Sequence, residues 1–146
     1  MIALLDVNIL VALMDEDHVH HQLAHDWFED NKERGWASCP LTENGLVRIF
    51  SNPAFIDPPV PLPELTGVLK RFCERSPHHF WGDDVSLRDP GVFLMSAVRG
   101  HRQLTDVYLL GLAVKHRGKF VTLDSAVPLG AVVGAKREHL EVITPE

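Results

Sequence analysis

Two short segments, IALLD at residues 2–6 and FVTLD at residues 120–124, each run from apolar residues directly into an aspartate. A short, continuous apolar run is typical of a parallel strand that is buried on both faces. We therefore expect Asp6 and Asp124 to lie at the carboxyl ends of two buried strands. Val142 and Ile143 suit a further strand near the end of the chain.

Helical patterns lie between these strands. Apolar residues recur at helical spacing over residues 17–31, 42–50, 63–74 and 105–116. Strands separated by helices predict an α/β fold, a sandwich built around a mainly parallel sheet. Residues 51–63 hold five prolines, and they predict an ordered, irregular connection rather than a linker between domains. We expect residues 1–146 to form a single domain.

The composition bounds the class of protein. The chain has 146 residues, of which 45% are hydrophobic and 23% are charged, and this excludes a disordered or collagen-like chain. The two cysteines do not form a CxxC pair, so we expect reduced thiols. No apolar run approaches the roughly 20 residues of a membrane span, and the first residues lack the basic start of a signal peptide. These features predict a cytoplasmic protein without a membrane partner.

Charge is distributed unevenly along the chain. Fourteen basic and twenty acidic residues give a net charge of −6, which by itself argues against a nucleic-acid partner. However, seven of the acids lie within residues 15–33, and seven basic residues lie within residues 99–137. The acidic total therefore leaves a basic region free to face phosphate.

Four acids stand at the ends of predicted elements. Asp6 and Asp124 end strands, whereas Glu43 and Asp106 each follow a threonine that is a candidate N-cap. Strand carboxyl ends and the N-termini of the following helices meet at one edge of a parallel sheet, where ligands bind. We therefore expect these four carboxylates to converge there.

Converged carboxylates repel one another unless cations neutralise them. Because the donors are all oxygens, the expected cation is Mg²⁺ or Mn²⁺. Such a site suits phosphodiester hydrolysis by a metal-activated water, with no side-chain nucleophile. Consistent with this, the sequence lacks a serine elbow, a phosphate-binding GxxxxGK[ST] loop and a GxGxxG fingerprint.

The segments MIALLDVNILVAL, PLTENGLVRI and RQLTDVYLLGLAVKHRGKFVTLD, with their spacing, resemble PIN-domain ribonucleases and most of all the VapC-type toxins of bacterial toxin–antitoxin systems. The resemblance spans nearly the whole chain. It implies a PIN-like fold, a three-layer sandwich with a mainly parallel sheet between helices. It also implies Mg²⁺- or Mn²⁺-dependent cleavage of RNA, a homodimer, and inhibition by a small VapB-like antitoxin.

The resemblance assigns roles to individual residues. Its acidic quartet, catalytic and metal-binding, falls on Asp6, Glu43, Asp106 and Asp124. Asn8 and Thr122 match polar positions that orient the first and last acids. Many relatives have a basic residue directly after the final aspartate, whereas Ser125 follows it here. The candidates to contact the RNA backbone are therefore Arg99, Arg102, Lys115 and Arg117.

Two other classes of protein share part of this pattern. A haloacid-dehalogenase-like phosphatase also begins with an aspartate after its first strand, but it needs a second aspartate two residues later, where this chain has Asn8. The other alternative is a catalytically silent PIN fold that binds nucleic acid or serves in assembly. The presence of all four acids disfavours it.

Overall fold

The computed structural model describes residues 1–145, and a five-stranded parallel sheet lies at its centre. The strands are β1 (Ala3–Leu5), β2 (Trp36–Ser38), β3 (His78–Phe80), β4 (Lys119–Thr122) and β5 (Leu140–Val142). Their order across the sheet is β3-β2-β1-β4-β5, and each neighbouring pair is parallel. The predicted α/β class and parallel sheet are confirmed.

Five α-helices connect and cover the strands. They are α1 (Val7–Met14), α2 (His21–Asn31), α3 (Pro40–Phe50), α4 (Leu62–Glu74) and α5 (Leu104–Lys115). No helix in the part of the chain that the structure describes has the length and apolar character needed to cross a bilayer. The sequence patterns predict α2 to α5 but not α1.

The sheet separates two hydrophobic cores, as expected for a three-layer sandwich. Successive strand residues point to opposite faces. Leu4 and Phe120 face one core, which they share with the buried side of α5. Leu5 and Val121 face the other core, which α1 to α4 cover. The strands are therefore apolar on both faces, and the predicted three layers are confirmed.

Two helices begin earlier than predicted, so the N-cap assignments of Thr42 and Thr105 are wrong. Pro40 is the first residue of α3, where its fixed φ suits a helix start, and Cys39 is the cap residue. The Thr42 hydroxyl instead accepts a hydrogen bond from the Cys39 amide at 3.0 Å. Helix α5 begins at Leu104 because a 3₁₀ turn over His101–Gln103 leads directly into it.

The order of the strands creates a crevice at one edge of the sheet. From β1 the chain proceeds to β2 and β3 on one side, and later to β4 and β5 on the other. The direction therefore changes between β1 and β4, and ligands bind at such a switch point in open α/β sheets. Asp6 and Asp124 follow these two strands, and α1, α3 and α5 begin at the same edge.

Candidate active site

Asp6 is a buried carboxylate that links the first strand to α1. It is the N-cap of α1, where Oδ1 accepts a hydrogen bond from the Val7 amide at 2.7 Å. Oδ2 accepts another from the Thr122 hydroxyl at 2.6 Å. Only 6% of the residue is exposed. Burial raises the pKa of Asp6 and the charge of Asp124 adds to this rise, whereas the two hydrogen bonds oppose it.

Thr122 joins the first and last aspartates of the site. Its hydroxyl donates to Asp6 and accepts hydrogen bonds from the Asn8 side-chain amide at 3.3 Å and from the Asp124 backbone amide at 3.1 Å. Asn8 in turn accepts from the Leu123 amide at 3.3 Å. The two polar positions named from the sequence thus connect the start of α1 to the end of β4.

Asp106 lies in the first turn of α5, close enough to Asp6 and Asp124 for their charges to act on it. Burial, the charges of Asp6 and Asp124, and hydrogen bonding to these two carboxyl groups raise the pKa of Asp106 to about 7. A shift in this direction means that the three carboxylates cannot all be ionised together without mutual repulsion. Without a cation, a proton on Asp106 relieves that repulsion near neutral pH.

Glu43, the fourth predicted acid, faces a different set of neighbours. Its Oε2 accepts a hydrogen bond from the Ser38 hydroxyl at 2.6 Å. The negative charge of Glu43 favours a higher pKa of His78. The acids whose charges raise the pKa of Asp106, within residues 1–145, are instead Asp6 and Asp124. The structure therefore brings three of the four acids together, and it places Glu43 in the first turn of α3, next to the end of β2.

The four basic candidates divide into two pairs. Arg99 and Arg102 lie in the exposed segment before α5. This segment is at the carboxyl edge of the sheet, named the acidic edge because it carries Asp6, Glu43, Asp106 and Asp124. Gln103 ties this segment to the loop after Asp124, because its side chain accepts from the Arg99 amide at 2.9 Å and donates to the Ala126 carbonyl at 3.2 Å.

Lys115 and Arg117 lie at the opposite end of α5. Lys115 is about 14 Å from Asp106 along the helix axis. Its Nζ donates to the backbone carbonyl of Asp84 at 2.7 Å and lies 3.4 Å from the Asp84 carboxylate. Arg117 follows the helix with a φ of 58°, just before β4 begins. The four basic candidates therefore do not form one cluster, because Lys115 and Arg117 lie at the opposite end of α5 from Arg99 and Arg102.

The donor chemistry of the aspartates suits a divalent cation. Three carboxylates from three elements contribute hard oxygen donors, and their mutual repulsion is the feature that a cation removes. As the side chains stand, no three His, Cys, Asp or Glu residues within residues 1–145 are grouped so that they could hold one ion together. Pairs of aspartates are therefore the ligand sets to consider.

Two polar residues near Glu43 carry no signal in the sequence. Ser38 ends β2 and is fully buried, and His78 begins β3. The Ser38 hydroxyl lies 2.8 Å from His78 Nε2. A three-residue strand such as WAS carries no detectable periodicity, and Ser38 and His78 are 40 residues apart. The parallel pairing of β2 with β3 is what brings them together.

Comparisons with curated proteins find close relatives in Mycobacterium tuberculosis (strain ATCC 25618 / H37Rv). The chain is 45% identical to Ribonuclease VapC44 over 143 residues, which are 98% of this chain and all of that protein. It is 43% identical to Ribonuclease VapC38 over 125 residues, or 86% of each chain. It is 40% identical to Ribonuclease VapC39 over 134 residues, or 92% of this chain and 96% of the relative. No family model matches the chain.

Proposed function

The chain belongs to the VapC family of ribonucleases, and from this premise we propose that it is the toxin of a toxin–antitoxin pair, a Mg²⁺- or Mn²⁺-dependent endoribonuclease. The observation that carries the metal dependence is the meeting of three aspartates at the switch point, with the pKa of Asp106 raised to about 7. Neutralising that repulsion is the role of a divalent cation.

Each polar residue of the edge has a task in this proposal. Pairs drawn from Asp6, Asp106 and Asp124 would hold the cation together with water and substrate phosphate, and Glu43 would supply a further carboxylate at the same edge. When bound, Mg²⁺ or Mn²⁺ supplies a Lewis acid for the phosphate and a water of lowered pKa. Thr122 and Asn8 fix the orientation of the aspartates through the hydrogen bonds described above. Arg99 and Arg102 hold the RNA backbone beside them.

The absence of a ready three-residue site within residues 1–145 is compatible with this proposal. Mg²⁺ is commonly bound through one or two carboxylates, and water and substrate phosphate complete its shell. We therefore expect weak metal binding by the protein alone and tighter binding when RNA is present.

The proposal also includes a VapB-like antitoxin and a homodimer. An apolar groove of about 340 Å³ lies between α1, α3 and α4, and Asp15, Glu16 and Glu64 line it beside apolar side chains. A basic and apolar antitoxin segment complements these acids.

Light scattering of the purified protein tests the dimer: a dimeric mass at micromolar concentration is expected, and a monomeric mass contradicts it.

A cleavage assay with a matched pair of variants tests the enzymatic proposal. Single-stranded and hairpin RNAs are incubated with the protein in Mg²⁺, in Mn²⁺ and in EDTA. We expect cleavage only with a metal, and we expect it to be lost in Asp6→Asn but kept in Asp30→Asn, which alters an exposed aspartate on α2. Cleavage by Asp6→Asn at the parent rate would contradict the proposal.

The alternative is a silent module that binds RNA without cleaving it. The lack of a ready three-ligand group in the described residues is the observation that favours it. The same assay separates the two functions, because the silent module would shift RNA in a binding assay and give no products under any metal condition.

A further inference from the structure

The second polar cluster of the acidic edge is a chain of three side chains. Ser38 lies in the middle, with its Oγ 2.6 Å from Glu43 Oε2 and 2.8 Å from His78 Nε2. Ser38 is fully buried, and both partners are partly buried. Hydrogen bonds to a buried hydroxyl are partly shielded from water and fix the orientation of the groups that form them.

The direction of these hydrogen bonds follows from what each group has to offer. A hydroxyl has one proton, and the Glu43 carboxylate offers only acceptor sites when it is ionised. At 2.6 Å the Ser38 proton must therefore lie toward Glu43. The oxygen of Ser38 is then the acceptor for His78, so His78 Nε2 must carry a proton and donate it.

The ring of His78 is held in place from its other side. It packs against the indole of Trp36, with the ring centroids 4.5 Å apart. Trp36 is 1% exposed, and its own N–H donates to the Ser76 hydroxyl at 2.9 Å. Burial lowers the pKa of His78, although the charge of Glu43 opposes that shift. The imidazole is therefore a rigid donor that is aimed at Ser38.

We propose that His78 is a positioning residue of the ribonuclease, which holds the Glu43 carboxylate toward the acidic edge through the Ser38 hydroxyl. The inference rests on the proposed metal-dependent function, and it assigns to β3 a role in a site whose acids all come from other elements. Removing a residue that orients a metal ligand through hydrogen bonds commonly lowers metal affinity or activity by about 10- to 100-fold.

The two nitrogen positions of the imidazole allow a matched test. The amide nitrogen of glutamine lies where Nε2 lies in histidine, whereas that of asparagine lies nearer Nδ1. His78→Gln therefore keeps the donor to Ser38, and His78→Asn removes it without introducing an apolar group. His79→Asn, on the exposed neighbour, is the control for any change at this strand.

The experiment measures Mn²⁺ binding by calorimetry, and it also measures kcat and KM for RNA cleavage at saturating and limiting Mn²⁺. We expect His78→Asn to raise the Mn²⁺ dissociation constant by about 10-fold and to lower kcat at limiting Mn²⁺. We expect His78→Gln and His79→Asn to stay within about 3-fold of the parent in both quantities.

Equal behaviour of His78→Gln and His78→Asn would overturn the inference, whether both match the parent or both weaken Mn²⁺ binding alike. Such a result leaves the ribonuclease proposal standing as long as the parent protein cleaves RNA with Mn²⁺. A parent protein that never cleaves RNA contradicts the ribonuclease proposal itself, so the two failures are distinguishable.

Discussion

The acidic edge has two halves that treat negative charge differently. In the half formed by Asp6, Asp106 and Asp124, burial and then the repulsion between the carboxylates raise the pKa of Asp106 to about 7. In the other half, Glu43 has its own hydrogen-bond donor in Ser38, which is backed by His78. Both halves lie at the carboxyl ends of neighbouring parallel strands.

The two halves would contribute to cation binding in different ways. The aspartates repel one another, and a bound cation would remove this repulsion. The relief of repulsion therefore favours cation binding. Glu43 is already stabilised by a neutral donor, so it contributes orientation more than driving force. The two halves should therefore respond differently to the same chemical change, the replacement of a carboxylate by an amide.

The largest difference is expected in catalysis. Asp106→Asn should lower the rate of RNA cleavage by at least about 100-fold, since it removes a few kcal/mol of transition-state stabilisation. Glu43→Gln should lower that rate by about 10-fold, with part of the loss recovered at high Mn²⁺. Single-turnover rates measured across a Mn²⁺ series check this order. Equal losses in the two variants would show that the halves are not distinct.

The next difference concerns stability without metal. The pKa of Asp106 is about 7 in the folded protein, above its ordinary value of 3.8, so the folded state binds more protons than the unfolded state between these values. The free energy of unfolding should therefore fall as pH rises from about 4 to about 7.

Asp106→Asn removes this penalty. It should raise the free energy of unfolding at pH 8 by about 1–3 kcal/mol, allowing for partial exposure, and by less at pH 5. Glu43→Gln should bring no such gain, because it loses a satisfied hydrogen bond. Urea unfolding in EDTA at the two pH values measures both effects. A destabilised Asp106→Asn protein at pH 8 would contradict the repulsion between the aspartates.

The smallest effect is expected among the basic residues. Arg102→Ala should weaken RNA binding by about 3- to 10-fold, because Arg102 lies at the acidic edge. Lys115→Ala should stay within about 2-fold of the parent, because Lys115 lies at the far end of α5 and is bound to Asp84. Fluorescence anisotropy with labelled RNA, in Ca²⁺ to prevent cleavage, measures both. A larger loss of RNA affinity in Lys115→Ala than in Arg102→Ala would contradict this assignment and would place the RNA at the opposite edge of the sheet.

The sequence predicts the sheet and most helices because their signals are local. The apolar runs before Asp6 and Asp124 are strands that are buried on both faces, and their pattern is readable from a single chain. Helix α1 was missed because residues 7–14 are apolar almost throughout and four of them are buried, so no polar face marks a helical period. Strand β2 was missed because it spans only three residues.

The site divides in the same way. That Asp6, Asp106 and Asp124 would share an edge follows from the topology of a parallel sheet, so the sequence is sufficient to predict it. The partners of Glu43 depend on the register between β2 and β3, which pairs Trp36 with His78. Likewise, Arg102 and Lys115 are close in sequence, but α5 places them at opposite edges of the sheet. Such relations require the three-dimensional structure.

The most direct test of the aspartate cluster is the proton released when Mn²⁺ binds. Calorimetry in buffers of different ionisation enthalpy should show proton release on Mn²⁺ binding at pH 7, since the pKa of Asp106, raised to about 7, leaves this group partly protonated, and much less release at pH 9. Asp106→Asn should abolish the release, and Asp30→Asn should leave it unchanged. Mn²⁺ binding without proton release at pH 7, or with the same release in Asp106→Asn, would contradict a cation site built on the repulsion of Asp6, Asp106 and Asp124.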